Sequence, residues 1–187
     1  MNHRLIAFIG PSGAGKDSLL QWLLQHAPQG LRLHHARRTI TRSASAGSEG
    51  HESVTMAQFL ALREAQAFAL HWLANDTGYG VRHAELAPMA EGGWVLLSGS
   101  RAHIDEARQR FPGLTVVHVG ASPEVLRQRL LARGRETEAQ VAERLARAQA
   151  YAVPPDALSV LNDGALDDTG RALLAQLAQR DPAWAQP

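Results

Sequence analysis

Gly10-Pro11-Ser12-Gly13-Ala14-Gly15-Lys16-Asp17 lies between the apolar run Leu5 to Ile9 and a helical pattern over Ser18 to His26. Strand, glycine-rich loop and helix in that order are the context of a phosphate-binding loop. The glycines let successive N–H groups turn onto phosphate oxygens, the helix adds its positive N-terminal end, and Lys16 brings a mobile cation to the β and γ phosphates. Gly10, Pro11, Ser12, Gly13, Ala14, Gly15, Lys16, Asp17 and Ser18 are therefore the candidate nucleotide site, with Lys16 also catalytic. Asp17 stands where such loops carry a hydroxyl for Mg²⁺. A carboxylate is the stronger Mg²⁺ ligand but adds negative charge beside the triphosphate. Asp17 thus either holds the metal, directly or through water, or costs affinity.

With 187 residues, 45% hydrophobic and 20% charged, the chain suits one globular domain with a single core. Nineteen cations against 18 acids give no support for a surface that binds nucleic acid or an anionic membrane. Lys16 is the only lysine, so every other cation is an arginine, whose planar fork matches phosphate. The absence of cysteine excludes disulfides and thiolate metal sites. No apolar run approaches membrane-spanning length and no cleavage-like site follows Ile9, so a cytoplasmic enzyme is expected.

Leu5 to Ile9 is continuously apolar, as in a central parallel strand covered on both faces. Leu31 to Arg42 reads as extended, with Arg37, Arg38 and Arg42 around Thr39-Ile40-Thr41, and Ser43 to Gly50 as a loop. Met56 to Gln66 reads as a helix, Phe68 to Ala74 as a strand, and Asp76-Thr77-Gly78 as a turn before Tyr79. Trp94 to Leu97 and Leu114 to Val119 are buried-strand patterns, with a helix over Arg101 to Arg110 between them. Ser122-Pro123 is an N-cap with proline at the first helical position, and that helix runs to Arg133. Thr137 to Gln140 has capping-box spacing for a helix to about Tyr151. Ala157 to Leu161 is the last strand, Asn162-Asp163-Gly164 a turn, Leu166 to Gln179 the last helix, and the tail from Asp181 is expected to fray. Alternating strands and helices give an α/β fold, a parallel sheet with helices on both faces, whose ligands sit at the carboxyl ends of the strands. The boundaries expected are a core of about 1–36 and 93–180, an insertion of about 37–92, a lid of about 133–147 and a tail of 181–187.

Gly10 to Lys16, Thr39 to Arg42, Tyr79-Gly80, Arg129 to Gly134, Arg144-Leu145 and Val160 to Asp163 resemble the guanylate kinase group of P-loop kinases. The resemblance implies that the insertion binds the acceptor, that the arginine-rich segment is a lid, and that Asn162 and Asp163 lie near the adenine. Arg42 and Tyr79 would then touch the acceptor phosphate, and Arg133 and Arg144 the transferring phosphoryl group. The departures are equally informative. Where guanylate kinases read guanine with a serine, a glutamate and an acidic strand end, this chain carries Arg38, Leu70 and Ser98 or Ser100. His51 stands for an acceptor-site tyrosine and Ser45 for a second acceptor arginine. Leucine cannot pair with guanine N–H groups, so the base-reading set is gone, and Arg37, Arg38 and Arg42 suit a small polyanionic acceptor.

Gly-Lys-Asp-Ser (15 to 18), the string from Ile40 to Glu49, Gly-Ser-Arg-Ala-His (99 to 103) and Arg-Gly-Arg-Glu (133 to 136) resemble the ribose 1,5-bisphosphate phosphokinases of phosphonate degradation. That resemblance implies ATP and Mg²⁺, and 5-phosphoribosyl 1-diphosphate as product. Asp17 recurs in that family, and Ser100 and Arg135 join the candidate acceptor contacts. Two alternatives stay open at this point: a guanylate-type nucleoside monophosphate kinase, and a catalytically silent module that binds proteins. ATP and the sugar bisphosphate are the expected partners, with a homodimer the one macromolecular association left open. The nine histidines have no ligand-like spacing; His51 and His103 are possible substrate contacts.

Overall fold

The computed structural model describes residues 4–41, 50–74, 76–134 and 137–185. Strand β1 (Leu5–Ile9) is buried along its whole length, and its side chains divide by parity. Ile6 and Phe8 join Leu19, Leu20, Leu23, Leu126, Leu173 and Leu177 on one face of the sheet. Leu5, Ala7 and Ile9 join Val95, Leu97 and Ile104 on the other. A strand covered on both sides has no polar positions, which is why this one reads as an unbroken apolar run.

Around β1 lies a five-stranded parallel sheet in the order β2 (Leu33–His35), β7 (Trp94–Ser98), β1, β8 (Thr115–Gly120), β9 (Leu158–Leu161). Helices α1 (Lys16–His26), α4 (Pro123–Ala132) and α6 (Leu166–Arg180) supply the first face, and α3 (Ile104–Arg110) packs on the second. Ser122 caps α4 with Pro123 at its first position, and Thr137 forms the anticipated capping box for α5 (Glu138–Gln149). Each cap satisfies donors that a helix start otherwise leaves unpaired.

The second face is shared with a four-stranded sheet that sequence reasoning did not resolve. Its order is β4 (His51–Ser53), β3 (Arg38–Ile40), β6 (Thr77–Arg82), β5 (Phe68–Ala74). The extended run expected over Leu31 to Arg42 is thus two strands in two sheets. After Ala36 donates its N–H to Leu96 O at 2.8 Å, the chain leaves β7, and Glu85 Oε2 takes up both the Arg37 N–H and His34 Nε2 at 2.8 Å. The turn expected at Asp76 to Gly78 is tighter than read, because β6 already begins at Thr77, and β5 and β6 form an antiparallel hairpin. Gly80 is required in that hairpin, since a Cβ there would lie 2.3 Å from the Phe68 ring. Arg82 and Glu52 form a two-pronged pair, Nη2 to Oε1 at 2.6 Å and Nε to Oε2 at 2.9 Å, with Thr39 Oγ1 donating to Oε2 at 2.7 Å, and so lock β6, β4 and β3 together. Between β4 and β5 runs α2 (Met56–Glu64), opened by a second capping box at Thr55.

Two further expectations are corrected. The helix expected over Arg101 to Arg110 starts as a 3-10 turn, Arg101–His103, before α3. The tail does not fray at Asp181: Pro182–Trp184 form one 3-10 turn, and the Trp184 ring is buried edge-on against Trp94 at 5.1 Å. A large aromatic stabilises a chain end that composition alone marks as loose. Among the described residues no helix is long and apolar enough to cross a membrane.

Candidate active site

The loop from Gly10 to Gly15 joins β1 to α1. Gly10, Gly13 and Gly15 have φ of 148°, 88° and 89°. Side chains are excluded at two of them, because a Cβ on Gly10 would sit 2.1 Å from Val119 O and one on Gly15 2.3 Å from Asn162 Nδ2. Helix α1 begins two residues earlier than the periodicity indicates, directly after Gly15 and without a side-chain cap. Its first-turn N–H groups are therefore left for an anion.

Lys16 Nζ donates to Gly10 O and Pro11 O, both at 2.9 Å. Burial pushes its pKa down to about 8; Asp17 opposes the shift, and Arg38, Arg101 and Arg133 add to it by repulsion. A polyphosphate would reverse that shift by neutralising the excess positive charge.

The loop opens into a cleft of two halves that meet at Ser12, Lys16, Arg38 and Tyr79. The first half, about 630 Å³, adds Asp17, Ser18, Ser98, Arg129, Arg133 and Asn162. The second, about 470 Å³, adds Trp72, Ser100, Arg101, Arg147 and Tyr151. Arg38 projects from β3 to within 3.6 Å of the Asp17 carboxylate. Tyr79 stacks on Trp72 with ring centroids 5.4 Å apart and planes 8° from parallel. Arg144 reaches across from α5 to donate to Ser12 Oγ at 3.0 Å. Lys16, Arg38, Arg133, Arg144, Tyr79 and Ser100 are thus brought together from six separate stretches of chain.

Other candidates lie beneath the loop or outside the cleft. Arg37 is exposed and lines neither half, since alternation along the extended chain turns it away from Arg38. Asn162 is buried beneath the loop, where its Nδ2 donates to Ala14 O at 2.8 Å and its Oδ1 accepts from Thr169 Oγ1 at 3.3 Å. Asp163 accepts the Ser122 N–H at 2.7 Å and so braces the turn before α4. His51 lies in β4 and lines neither half, while His103 approaches Ser100 Oγ at 3.4 Å. Arg42, Ser45 and Arg135 lie outside the described residues.

Two arginines went unassigned in the sequence reading. Arg129 donates to Gly13 O at 3.4 Å; its place one helical turn before Arg133 was the available signal. Arg101 follows the strand end Ser98-Gly99-Ser100, at the sheet edge where ligands bind, and its Nη1 donates to Ala148 O at 3.2 Å. Among the described residues no group of three or more histidine or acidic side chains could hold a metal.

The guanylate kinase family model matches residues 2–179. Ribose 1,5-bisphosphate phosphokinase PhnN of Pseudomonas paraeruginosa is 48% identical over 180 residues, covering 95% of this chain and 96% of that protein. The protein of the same name from Agrobacterium fabrum is 38% identical and covers 98% of this chain and 100% of its own. The crystal structure of guanylate kinase from Anaplasma phagocytophilum superimposes with a TM-score of 0.68 at 18% identity, over 94% of this chain and 84% of that one. A family match over nearly the whole chain, a phosphate loop with its one lysine and an arginine-lined cleft agree: the chain belongs to the guanylate kinase family and is a relative of the PhnN kinases within it.

Proposed function

We propose that this protein transfers the γ-phosphoryl group of ATP to ribose 1,5-bisphosphate, giving 5-phosphoribosyl 1-diphosphate and ADP, as a step of phosphonate catabolism. The observation that carries the reading is the acceptor half of the cleft. It offers Arg38, Arg101, Tyr79 and Ser100, and among the described residues no carboxylate lines it. Leu70, at the position where guanylate kinases carry a base-reading glutamate, is buried in the core between the two sheets. A site of that kind suits a small polyanion without a base. The names of these relatives support the same substrate.

In the reaction an oxygen of the 1-phosphate attacks the γ phosphorus, the bond from that phosphorus to the β–γ bridging oxygen breaks, and ADP leaves with the electron pair. The attacking oxygen is already anionic near neutrality, so the site needs no general base. Catalysis is positioning and charge stabilisation. Lys16 would leave the carbonyls of Gly10 and Pro11 for the β and γ phosphates. Arg133 and Arg144 would stabilise the γ-phosphoryl group, and Arg38 would hold the 1-phosphate. We assign the acceptor to the insertion of about 37–92 and closure over the phosphates, which excludes water, to the lid of about 133–147. Asn162 supports the nucleotide from below the loop.

The residues present fit Mg²⁺, which takes one or two protein oxygens and completes its shell with phosphates and water. Asp17 and Ser18 open α1 beside the phosphate site, and the Ser98 hydroxyl, buried at the end of β7 in the same half, has no hydrogen-bond partner among the described residues. Asp17 would supply the carboxylate that β7 lacks, and the bound metal would offset charge on the β and γ oxygens. Asp17→Ser should weaken binding of the Mn²⁺–nucleotide complex, read by electron paramagnetic resonance, more than binding of metal-free nucleotide; equal weakening refutes the assignment.

A coupled ADP-release assay offering ribose 1,5-bisphosphate and GMP in parallel tests the function. Turnover of the sugar bisphosphate alone is expected. Turnover of GMP overturns the reading in favour of a nucleoside monophosphate kinase, and silence with both favours a binding module.

A further inference from the structure

The acceptor proposed above carries two phosphates, and only one of them reacts. The cleft has two halves in which they can be held apart. Residues lining both halves, Lys16 and Arg38 among them, mark the point of transfer, where the reacting phosphate must sit. Arg101 lines the acceptor half alone. Of the arginines there it is the one that the described residues leave without a carboxylate. Arg38 faces Asp17 at 3.6 Å and Arg147 faces Glu143 at 3.2 Å, whereas among the described residues no carboxylate pairs with Arg101.

The guanidinium is nonetheless held firmly. It lies over the Tyr151 ring at 4.8 Å, its Nη1 donates to Ala148 O at 3.2 Å, and the Tyr151 hydroxyl donates back to Arg101 O at 2.7 Å. One nitrogen of the fork is thus used, and its remaining N–H donors have no protein acceptor among the described residues. A half-buried cation without a counter-ion is costly unless an anion completes it. A clamped fork also loses little side-chain entropy when it binds one.

We propose that Arg101 binds the non-reacting phosphate of the acceptor, the 5-phosphate of ribose 1,5-bisphosphate, and so makes this site selective for a bisphosphorylated sugar over a monophosphorylated one. This rests on the kinase reading above. The remote phosphate would anchor the sugar so that the 1-phosphate meets the transfer point in line, and its binding energy would act on turnover as well as on affinity.

The test compares kcat/KM for ribose 1,5-bisphosphate and ribose 1-phosphate in the wild type, Arg101→Gln and Tyr151→Phe, with KM for ATP read alongside. The wild type should prefer the bisphosphate. Arg101→Gln should shrink that preference about 10- to 100-fold, the range of one charge-assisted contact, with KM for ATP changed less than about threefold. A purely structural role would instead lower both acceptors and ATP together. Tyr151→Phe removes the brace to the Arg101 main chain but leaves the fork over a ring, and should keep most of the preference. A wild type that turns over neither sugar overturns the functional reading and this inference with it. A wild type that prefers the bisphosphate while Arg101→Gln keeps that preference intact overturns the inference alone.

Discussion

Raising the pH discharges one group of the phosphate loop before the others, the Lys16 ammonium, whose pKa lies at about 8 in the free protein. A bound triphosphate favours the charged form, so the bound pKa lies above the free one. Affinity is then at its full value below about pH 8 and falls as the pH rises through it. At about pH 7 roughly nine-tenths of the free protein carries the ammonium and at about pH 9 roughly one-tenth, so ATP affinity should fall about tenfold across that interval. Binding should take up close to one proton at the upper end and about a tenth of one at the lower. Calorimetry of ATP binding in buffers of different ionisation enthalpy reads that uptake directly at about pH 9, where the terminal phosphate of ATP is fully ionised. Lys16→Arg, charged throughout, should show neither the uptake nor the loss of affinity. Proton uptake near zero at pH 9 in the wild type would refute the reasoning, because it would mean that the free loop already holds a charged lysine. The same shift has a counterpart in folding: the charged, partly desolvated lysine costs stability below about pH 8, and that cost fades as the pH rises towards the ordinary value of 10.5.

Two substitutions test the support of the loop and a third the packing of the tail. Asn162→Ala removes the partners of Ala14 O and Thr169 Oγ1 in a buried place. It should cost about 1–3 kcal/mol in urea unfolding and loosen nucleotide binding; an unchanged midpoint would mean that Asn162 acts only on ligand. Gly10→Ala sets a Cβ 2.1 Å from a β8 carbonyl in a backbone conformation that side chains rarely adopt. ATP binding should be lost outright, and near-normal binding would show that the loop shifts freely on β8. Trp184→Ala empties a fully buried ring site against Trp94 and should cost about 3–5 kcal/mol, read by denaturant titration, while KM for both substrates stays near the wild-type value; a loss under about 1 kcal/mol would restore the picture of a loose tail.

Local patterns carried much of the fold. The loop's glycines and lysine, the apolar runs of β1, β7 and β8, the proline start of α4 and the capping box of α5 are all properties of short stretches, set by backbone sterics and helix-end hydrogen bonding, and all five elements lie where those stretches place them. The four-stranded sheet escaped because β3 and β4 are only three residues each and are held by partners far away in sequence, such as the Arg82 and Glu52 pair. No periodicity develops over so short a run.

The residue types of the site were legible by the same logic, since a loop of this kind beside arginines calls for phosphate. Their assignment to places was not. Whether an arginine enters the cleft depends on strand parity, as with Arg37 and Arg38, and whether it is already paired there depends on which carboxylate lies within reach, as with Arg101 and Arg147. Sequence by itself determined that this chain binds phosphate on a parallel α/β sheet, because those features are written in contiguous residues. Only the tertiary structure decided that Asn162 props the loop, that Trp184 closes the core and that Arg101 lines the cleft with no carboxylate partner among the described residues, because each follows from contacts between segments that the linear chain keeps 47 to 148 residues apart or from which neighbours the fold brings near.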